Sequence, residues 1–130
     1  MSPPTVFVVD DDDACRDAVR ELVDADGLEA TVFSSAIEFL AALQPTWQGC
    51  LVLDLRMPRM NGLTLQKRLR EMGVHIPIVF VSGSVDIATA MQAIRDGAVD
   101  FLQKPYSKDQ LLDAVYKALG RPPASSPSKD

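Results

Sequence analysis

Residues 50–54 read CLVLD, a run of apolar side chains that ends directly in a carboxylate. A continuous apolar run, without the alternation of a half-exposed strand, predicts a strand that is buried on both faces. The runs TVFVV at 5–9 and IVFV at 78–81 have the same character. Strands of this kind occur in parallel sheets that helices cover on both sides, so the sequence predicts an α/β fold.

Segments of helical periodicity separate these strands along the chain. Ser35 with Glu38 and Ser107 with Gln110 each match a capping box, the pattern that opens a helix. Helices are predicted at 13–26, 35–43, 62–72, 86–96 and 107–119, and two further short strands at 29–33 and 100–103. Five strands that alternate with five helices predict a doubly wound parallel sheet, (βα)5, with right-handed crossovers. The pattern leaves the strand order open.

The length and composition fit one domain with a short tail. The chain has 130 residues, of which 47% are hydrophobic, and its net charge is -5. Residues 1–120 are predicted to form the domain, and 121–130 (RPPASSPSKD) a Pro/Ser-rich linker or tail without apolar periodicity. The negative charge disfavours direct nucleic-acid binding by this segment, because the phosphate backbone would be repelled.

Two classes of protein are disfavoured by what the sequence lacks. Cys15 and Cys50 form no CxxC pair and His75 is the only histidine, so no zinc site is expected and both thiols are predicted to be reduced. No apolar run approaches the ~20 residues that span a bilayer, and no signal peptide opens the chain. We therefore expect a cytoplasmic protein that is not bound to a membrane.

Polar side chains follow four of the predicted strands, at the point where each strand ends. Asp10 and Asp11 follow the first strand, Asp54 the third, Ser82 the fourth and Lys104 the fifth. Ligands of parallel sheets bind outside the carboxyl ends of the strands, so these side chains converge if the first and third strands are neighbours. Carboxylates without histidine or cysteine suit Mg²⁺. With a hydroxyl and an ammonium group they indicate a phosphoryl-transfer site whose nucleophile is Asp54.

Each of these residues also has an ordinary structural interpretation. The acidic run 10–13 could be a solvated loop that caps the first helix, and we assign Asp12 and Asp13 mainly to that role. Asp54 and Ser82 could be turn residues, and Lys104 a surface lysine. Their joint occurrence at strand ends favours the functional interpretation over five separate coincidences.

Four segments resemble the receiver domain of bacterial two-component response regulators. They are VVDD (8–11), LDLRMPRMNG (53–62), FVSG (80–83) and GAVDFLQKPY (97–106), and the resemblance extends from about residue 5 to 119. Within that family the DLRMP segment and the GAVDFLQKPY run are most similar to the FixJ type. The resemblance implies a flavodoxin-like sheet with strand order 2-1-3-4-5.

The resemblance also implies a role for each position that matches the family's motifs. Asp54 would be the phospho-acceptor, and Lys104 would bind the phosphoryl oxygens. Ser82 would be the switch hydroxyl and Phe101 the rotating aromatic side chain. The remaining implied features are a cis peptide bond before Pro105 and a Mg²⁺ site that is formed by Asp10, Asp11, Asp54 and the main-chain carbonyl of Arg56.

The partners that the resemblance implies are a sensor histidine kinase as phosphodonor and a DNA-binding output domain beyond the linker, in a longer protein. Phosphorylation would alter the face of the fourth helix, fifth strand and fifth helix, and this would either promote a homodimer or release the output domain. A receiver without an output domain is the alternative. Candidate surface positions are Ile87, Ala90, Met91 and Val99, although helical spacing favours a core position for Ile87 and Met91.

Three other functions remain as alternatives to a non-enzymatic signalling domain. A phosphatase of the haloacid-dehalogenase kind needs a second acid two residues after the nucleophile, and Arg56 occupies that position. A phosphorylation-independent interaction module would have lost its acids, which this chain keeps. Nucleotide binding is disfavoured, because neither a GxxxxGK[ST] loop nor a GxGxxG motif follows the first strand.

Overall fold

The structure, a computed structural model, describes residues 4–84 and 86–120, so the predicted tail at 121–130 lies outside the described residues. Strands and helices alternate as predicted. In chain order they are β1 Thr5–Val9, α1 Asp13–Ala25, β2 Glu29–Phe33, α2 Ala36–Ala42, β3 Gly49–Asp54, α3 Gly62–Glu71, β4 Ile78–Ser82, α4 Ile87–Arg95, β5 Asp100–Gln103 and α5 Lys108–Leu119.

The strands form one parallel sheet in the order β2-β1-β3-β4-β5. The doubly wound, flavodoxin-like fold and the strand order 2-1-3-4-5 are therefore confirmed. The register pairs Val9 of β1 with Leu53 of β3, and Leu53 with Phe80 of β4. The residues that follow Val9 and Leu53 consequently start from the same edge of the sheet.

Alternate residues of the central strands enter two separate hydrophobic cores. Val6 and Val8 of β1 face a core that α1 and α5 complete, whereas Phe7 and Val9 face the core beneath α2, α3 and α4. Both sets of side chains are buried, which is why the strand sequences show no alternation of apolar and polar residues.

The loop before β3 contributes an aromatic side chain to the second core. The indole of Trp47 stacks on Phe7, with ring centroids 4.4 Å apart, and lies 5.8 Å from the ring of Phe39. The position of Trp47 in a loop gives no indication of this role in the sequence alone. Its ring closes the second core at the amino-terminal edge of the sheet.

Polar side chains cap the helices. Asp12, Ser35, Asn61, Asp86 and Ser107 each accept a hydrogen bond from a main-chain N–H of the first helical turn. The reciprocal capping box that was predicted at Ser107 is confirmed, because the Gln110 side chain also accepts from the Ser107 N–H.

The capping box that was predicted at Ser35 is made in a different form. Ser35 accepts a hydrogen bond from the Glu38 N–H at 3.0 Å, as a capping box requires. The Glu38 carboxylate, however, accepts from the Ser34 N–H at 2.7 Å. The side chain therefore reaches one residue further towards the amino terminus than the pattern predicts.

The expected core position of Ile87 and Met91 is wrong. These side chains are 79% and 53% exposed, and Ile94, which shares their helical spacing, is 44% exposed. Among the described residues of α4 only Ala93 is fully buried, so the helix contacts the sheet through a small side chain. The apolar stripe of α4 faces solvent, whereas Ala90 and Val99 are half-buried.

The two thiols are predicted to differ in reactivity. Cys50 is the second residue of β3, and burial raises the pKa of its thiol to about 12. Burial also raises the pKa of the Cys15 thiol, but this side chain is partly accessible. Because the thiolate is the reactive form, iodoacetamide at pH 8 should label Cys15 alone in the native protein and both cysteines in denaturant. Intact mass measures the number of adducts. Rapid labelling of Cys50 in native protein would contradict the packing described for β3.

Candidate functional site

Three carboxylates meet at the carboxyl edge of the sheet. Asp10 follows β1, Asp11 is the next residue, and Asp54 ends β3; one carboxylate oxygen from each lies within 4.8 Å of the others. Asp10 and Asp54 are 2% and 5% exposed, whereas Asp11 is exposed. The adjacency of β1 and β3, which the sequence left open, produces this cluster.

Lys104 and Ser82 lie on the same rim, at the ends of β5 and β4. The Lys104 ammonium donates a hydrogen bond to the Asp10 carboxylate at 3.0 Å. The Lys104 main-chain N–H donates to the Ser82 carbonyl at 2.7 Å, and the Lys104–Pro105 peptide bond is cis. The side chain of Lys104 reaches the acidic cluster from the end of β5, the edge strand opposite to β2.

The electrostatics of the cluster oppose full ionisation. Burial and the neighbouring Asp10 raise the pKa of Asp54 to about 7, while Lys104 and the Arg56 N–H act in the opposite direction. Burial acts to lower the pKa of Lys104, but the hydrogen bond and charge of Asp10 outweigh it and raise this pKa. One ammonium group thus leaves the three carboxylates with excess negative charge.

This donor set fits a hard divalent cation. Converging carboxylate oxygens, two of them on buried side chains, are the ligands that Mg²⁺ prefers. A bound cation would also remove the repulsion that raises the pKa of Asp54. Across residues 4–84 and 86–120, no other group of this kind is found among the histidine, cysteine and acidic side chains.

The Ser82 hydroxyl does not point at Asp54 in this conformation. It donates a hydrogen bond to the Ser84 carbonyl at 2.9 Å, and the Ser84 N–H approaches the same hydroxyl oxygen at 3.3 Å. Phe101 is half-buried on β5, and its ring stacks against Phe80 with centroids 5.9 Å apart. The Ser82 hydroxyl thus makes its hydrogen bonds with Ser84 and not with the carboxylate cluster.

Arg56 contributes to the rim through its main chain and its side chain. Its main-chain N–H donates to Asp54 Oδ1 at 3.3 Å, close to the limit of a hydrogen bond. Its side chain binds the main chain that follows β4, where Nε donates to the Ser84 carbonyl at 3.3 Å. The family resemblance implied a ligand role for its main-chain carbonyl and left the effect of its side chain near the phosphoryl group open.

Two residues near the site were missed because they lie inside α1. The Sγ of Cys15 is 3.4 Å from the Lys104 ammonium, and the Arg16 guanidinium donates to the Asp10 carbonyl at 2.8 Å. Arg16 also pairs with Asp13. They lie five and six residues after Asp10, on the first turn of α1. This spacing could have indicated from the sequence that they lie near the site.

The described residues, 4–84 and 86–120, contain no helix with the length and apolar character needed to cross a bilayer. The exposed side chains of Ile87, Met91 and Ile94 lie on a helix of nine residues.

Comparison with known proteins gives consistent matches. The sequence profile of the response regulator receiver domain matches residues 6–116. The response regulator protein TodT of Pseudomonas putida is 46% identical over 114 residues, which cover 88% of this chain and 50% of TodT. The transcriptional regulatory protein FixJ of Azorhizobium caulinodans is 41% identical over 89% of this chain and 55% of its own length. The chain thus spans about half the length of these relatives.

Solved structures of response regulators are also similar to this chain. The response regulator StyR has a TM-score of 0.86 and 44% identity, over 92% of this chain and 60% of that chain. The structure of FixJ-N has a TM-score of 0.85 and 33% identity, over 92% of this chain and 96% of its own.

Proposed function

Because the chain belongs to the response regulator receiver domain family, which is a signalling family, we propose that it accepts a phosphoryl group on Asp54 with Mg²⁺ and changes conformation to control an output. The observation that carries the proposal is the cluster of Asp10, Asp11 and Asp54 with the Lys104 ammonium on the same rim. These groups supply a nucleophile, oxygen ligands for a cation and a positive charge at one point.

The carboxylates of Asp10, Asp11 and Asp54 would hold Mg²⁺, and the main-chain carbonyl of Arg56 is a further proposed ligand. When bound, the cation supplies charge neutralisation for the carboxylates and for the phosphoryl oxygens. Receiver domains generally bind Mg²⁺ at an acidic cluster of this kind.

Asp54 and Lys104 have separate roles in the proposed phosphoryl transfer. An ionised Asp54 oxygen forms a bond to phosphorus while the bond from phosphorus to the donor breaks, and the leaving group takes that electron pair. Lys104 neutralises charge on the phosphoryl oxygens once its hydrogen bond to Asp10 loosens. Asp54 attacks only as the carboxylate, so a cation that lowers its raised pKa also increases the reactive fraction.

The conformational response would start from Ser82. A phosphoryl group adds strong acceptor oxygens, and the Ser82 hydroxyl would leave the Ser84 carbonyl to donate to one of them. The space that this movement opens would admit the Phe101 ring. The result is a shift between two populations, with a typical coupling free energy of ~1–3 kcal/mol.

The partners follow from the family and from the lengths of the relatives. We infer a sensor histidine kinase as phosphodonor and a DNA-binding output domain beyond residue 120, with 121–130 as the linker. Relatives named as transcriptional regulators, of whose length the matched residues cover 51% and 55%, support the output domain. The exposed stripe of Ile87, Met91 and Ile94 would supply part of a phosphorylation-dependent homodimer interface.

The proposal is tested with a small phosphodonor. We expect acetyl phosphate with Mg²⁺ to add one phosphoryl group to the protein, measured by intact mass, and to add none in EDTA. Borohydride reduces an aspartyl phosphate to homoserine, so peptide mapping identifies the modified residue, which should be Asp54. Folded protein that gains no phosphoryl group, or gains it elsewhere, would overturn the proposal.

A further inference from the structure

The main-chain carbonyl of Ser84 is the acceptor for two side chains. The Ser82 hydroxyl donates to it at 2.9 Å and the Arg56 Nε donates to it at 3.3 Å. A carbonyl oxygen has two acceptor positions, so both hydrogen bonds can be made together. One of these donors belongs to the proposed switch, and the other comes from the loop between β3 and α3.

The Ser82 hydroxyl has a single proton and can donate one hydrogen bond at a time. In the present conformation that proton is used on the Ser84 carbonyl. Donation to a phosphoryl oxygen on Asp54 would require this hydrogen bond to break. Whatever holds the Ser84 carbonyl in place therefore favours the conformation that is present before phosphorylation.

Arg56 is suited to that role because its side chain binds the main chain that follows β4. Its guanidinium binds the Ser84 carbonyl at the start of the loop between β4 and α4. At the end of the loop, Asp86 caps α4, and its pKa is lowered first by the Thr89 N–H and, more weakly, by the charge of Arg56. The Arg56 guanidinium thus acts on Ser84 through a hydrogen bond and on Asp86 through its charge.

We propose that Arg56 is a positioning residue for the Ser82 switch: its side chain holds the Ser84 carbonyl against the Ser82 hydroxyl and so stabilises the unphosphorylated conformation. This inference rests on the proposed phosphoryl switch. Arg56 would then serve the site twice, because its main chain contacts Asp54 and its side chain restrains the loop.

The Ser84 amide gives a direct measurement in unphosphorylated protein. Its N–H approaches the Ser82 oxygen, so its exchange with solvent reports how firmly the pair is held. We expect Arg56→Met, which keeps the length of the side chain but removes its donors, to accelerate Ser84 amide exchange about three- to tenfold by NMR. Arg56→Lys, which keeps a donor at similar reach, should restore slow exchange in part.

Arg59→Met is the matched control, because Arg59 is an exposed arginine in the same loop between β3 and α3. It removes the same charge without the contact to Ser84 and should leave the amide exchange unchanged. Acceleration in Arg59→Met equal to that in Arg56→Met would mean that charge alone is responsible, and would overturn the inference. Unchanged exchange in Arg56→Met would overturn it directly.

Phosphorylation of the same proteins separates this inference from the proposed function. Acetyl phosphate with Mg²⁺ gives the phosphorylated positions of the Ser82–Ser84 amide signals. Before this donor is added, the same signals in Arg56→Met should already lie part of the way towards those positions. Uptake of one phosphoryl group without such a displacement would contradict the role of Arg56 alone. Failure of wild type and variant alike to take up a phosphoryl group would instead refute the proposed function, whatever the exchange rates show.

Discussion

Replacing Asp54 with asparagine is expected to abolish phosphoryl incorporation and, in metal-free protein, to raise the free energy of unfolding. An amide cannot form the acyl phosphate, so the mass gain with acetyl phosphate and Mg²⁺ should be lost completely. Stability should rise because the substitution removes a buried charge beside Asp10. The Asn side chain keeps an oxygen that can accept from the Arg56 N–H.

The gain in stability should depend on pH in a defined direction. The pKa of Asp54 is raised from 3.8 to about 7, so between these values the folded protein binds a proton that the unfolded chain has lost. The carboxyl group therefore costs nothing at pH 3, and its cost grows through this window and is complete above pH 7. Asp54→Asn should accordingly be more stable than wild type by about 1–2 kcal/mol at pH 8, after allowance for solvent screening, and equal to it near pH 4.

Urea denaturation in EDTA at several pH values measures this difference. Asp113→Asn, which removes an exposed carboxylate from α5, is the matched control and should change stability little at any pH. Saturating Mg²⁺ should reduce the advantage of Asp54→Asn, since the cation offsets the same repulsion. A stability difference that is independent of pH would show that the Asp54 carboxyl is not the group responsible.

Gly49→Ala is expected to destabilise the fold more than any surface substitution. Gly49 begins β3 with a φ of 140°, and an added Cβ would lie 1.8 Å from the Thr5 carbonyl oxygen and 2.7 Å from the Thr5 nitrogen. These atoms are backbone at the start of β1, the strand that pairs with β3. Relief of the clash requires the two strands to separate, so we expect a loss of at least ~3 kcal/mol.

Gly73→Ala separates the clash from the backbone conformation. Gly73 has a φ of 76° but no atom within 4 Å of an added Cβ, so it should lose only the ~1–2 kcal/mol of an unfavourable φ. Urea denaturation followed by circular dichroism compares the two variants. Equal losses in the free energy of unfolding for the two variants would show that β1 and β3 can move apart to accommodate the added Cβ without destabilising the fold.

The strands were predictable because the apolar residues that mark a buried strand are visible within each segment of the sequence. β1, β2 and β5 occupy the ranges that the sequence indicated, and β3 and β4 are each longer than predicted at an end. The order of the strands was implied only by the family resemblance, since alternation along the chain carries no information about which strands are neighbours. The direction of the α4 stripe was also not predictable, because helical spacing shows that Ile87 and Met91 share a face but not what lies against it.

The residue types of the site were predictable from their positions at strand ends, but their contacts were not. The pairing of Lys104 with Asp10 joins residues 94 positions apart, and the Arg56 contact with Ser84 joins residues 28 apart. Such contacts depend on how the strands assemble into the sheet and on the course of the loops. The raised pKa of Asp54 depends in the same way on burial and on Asp10, neither of which its own segment reveals.

The stacking of the Trp47 indole on Phe7 has a spectroscopic consequence. This is the only tryptophan in the chain, so all indole emission comes from one ring at the amino-terminal edge of the sheet. Asp54 lies seven residues further along the chain, roughly 20 Å away at the rise of an extended strand. Tryptophan fluorescence should therefore change when the core unfolds. It should stay nearly constant when cations or phosphodonors bind at the opposite edge, so it reports unfolding of this domain independently of ligand binding.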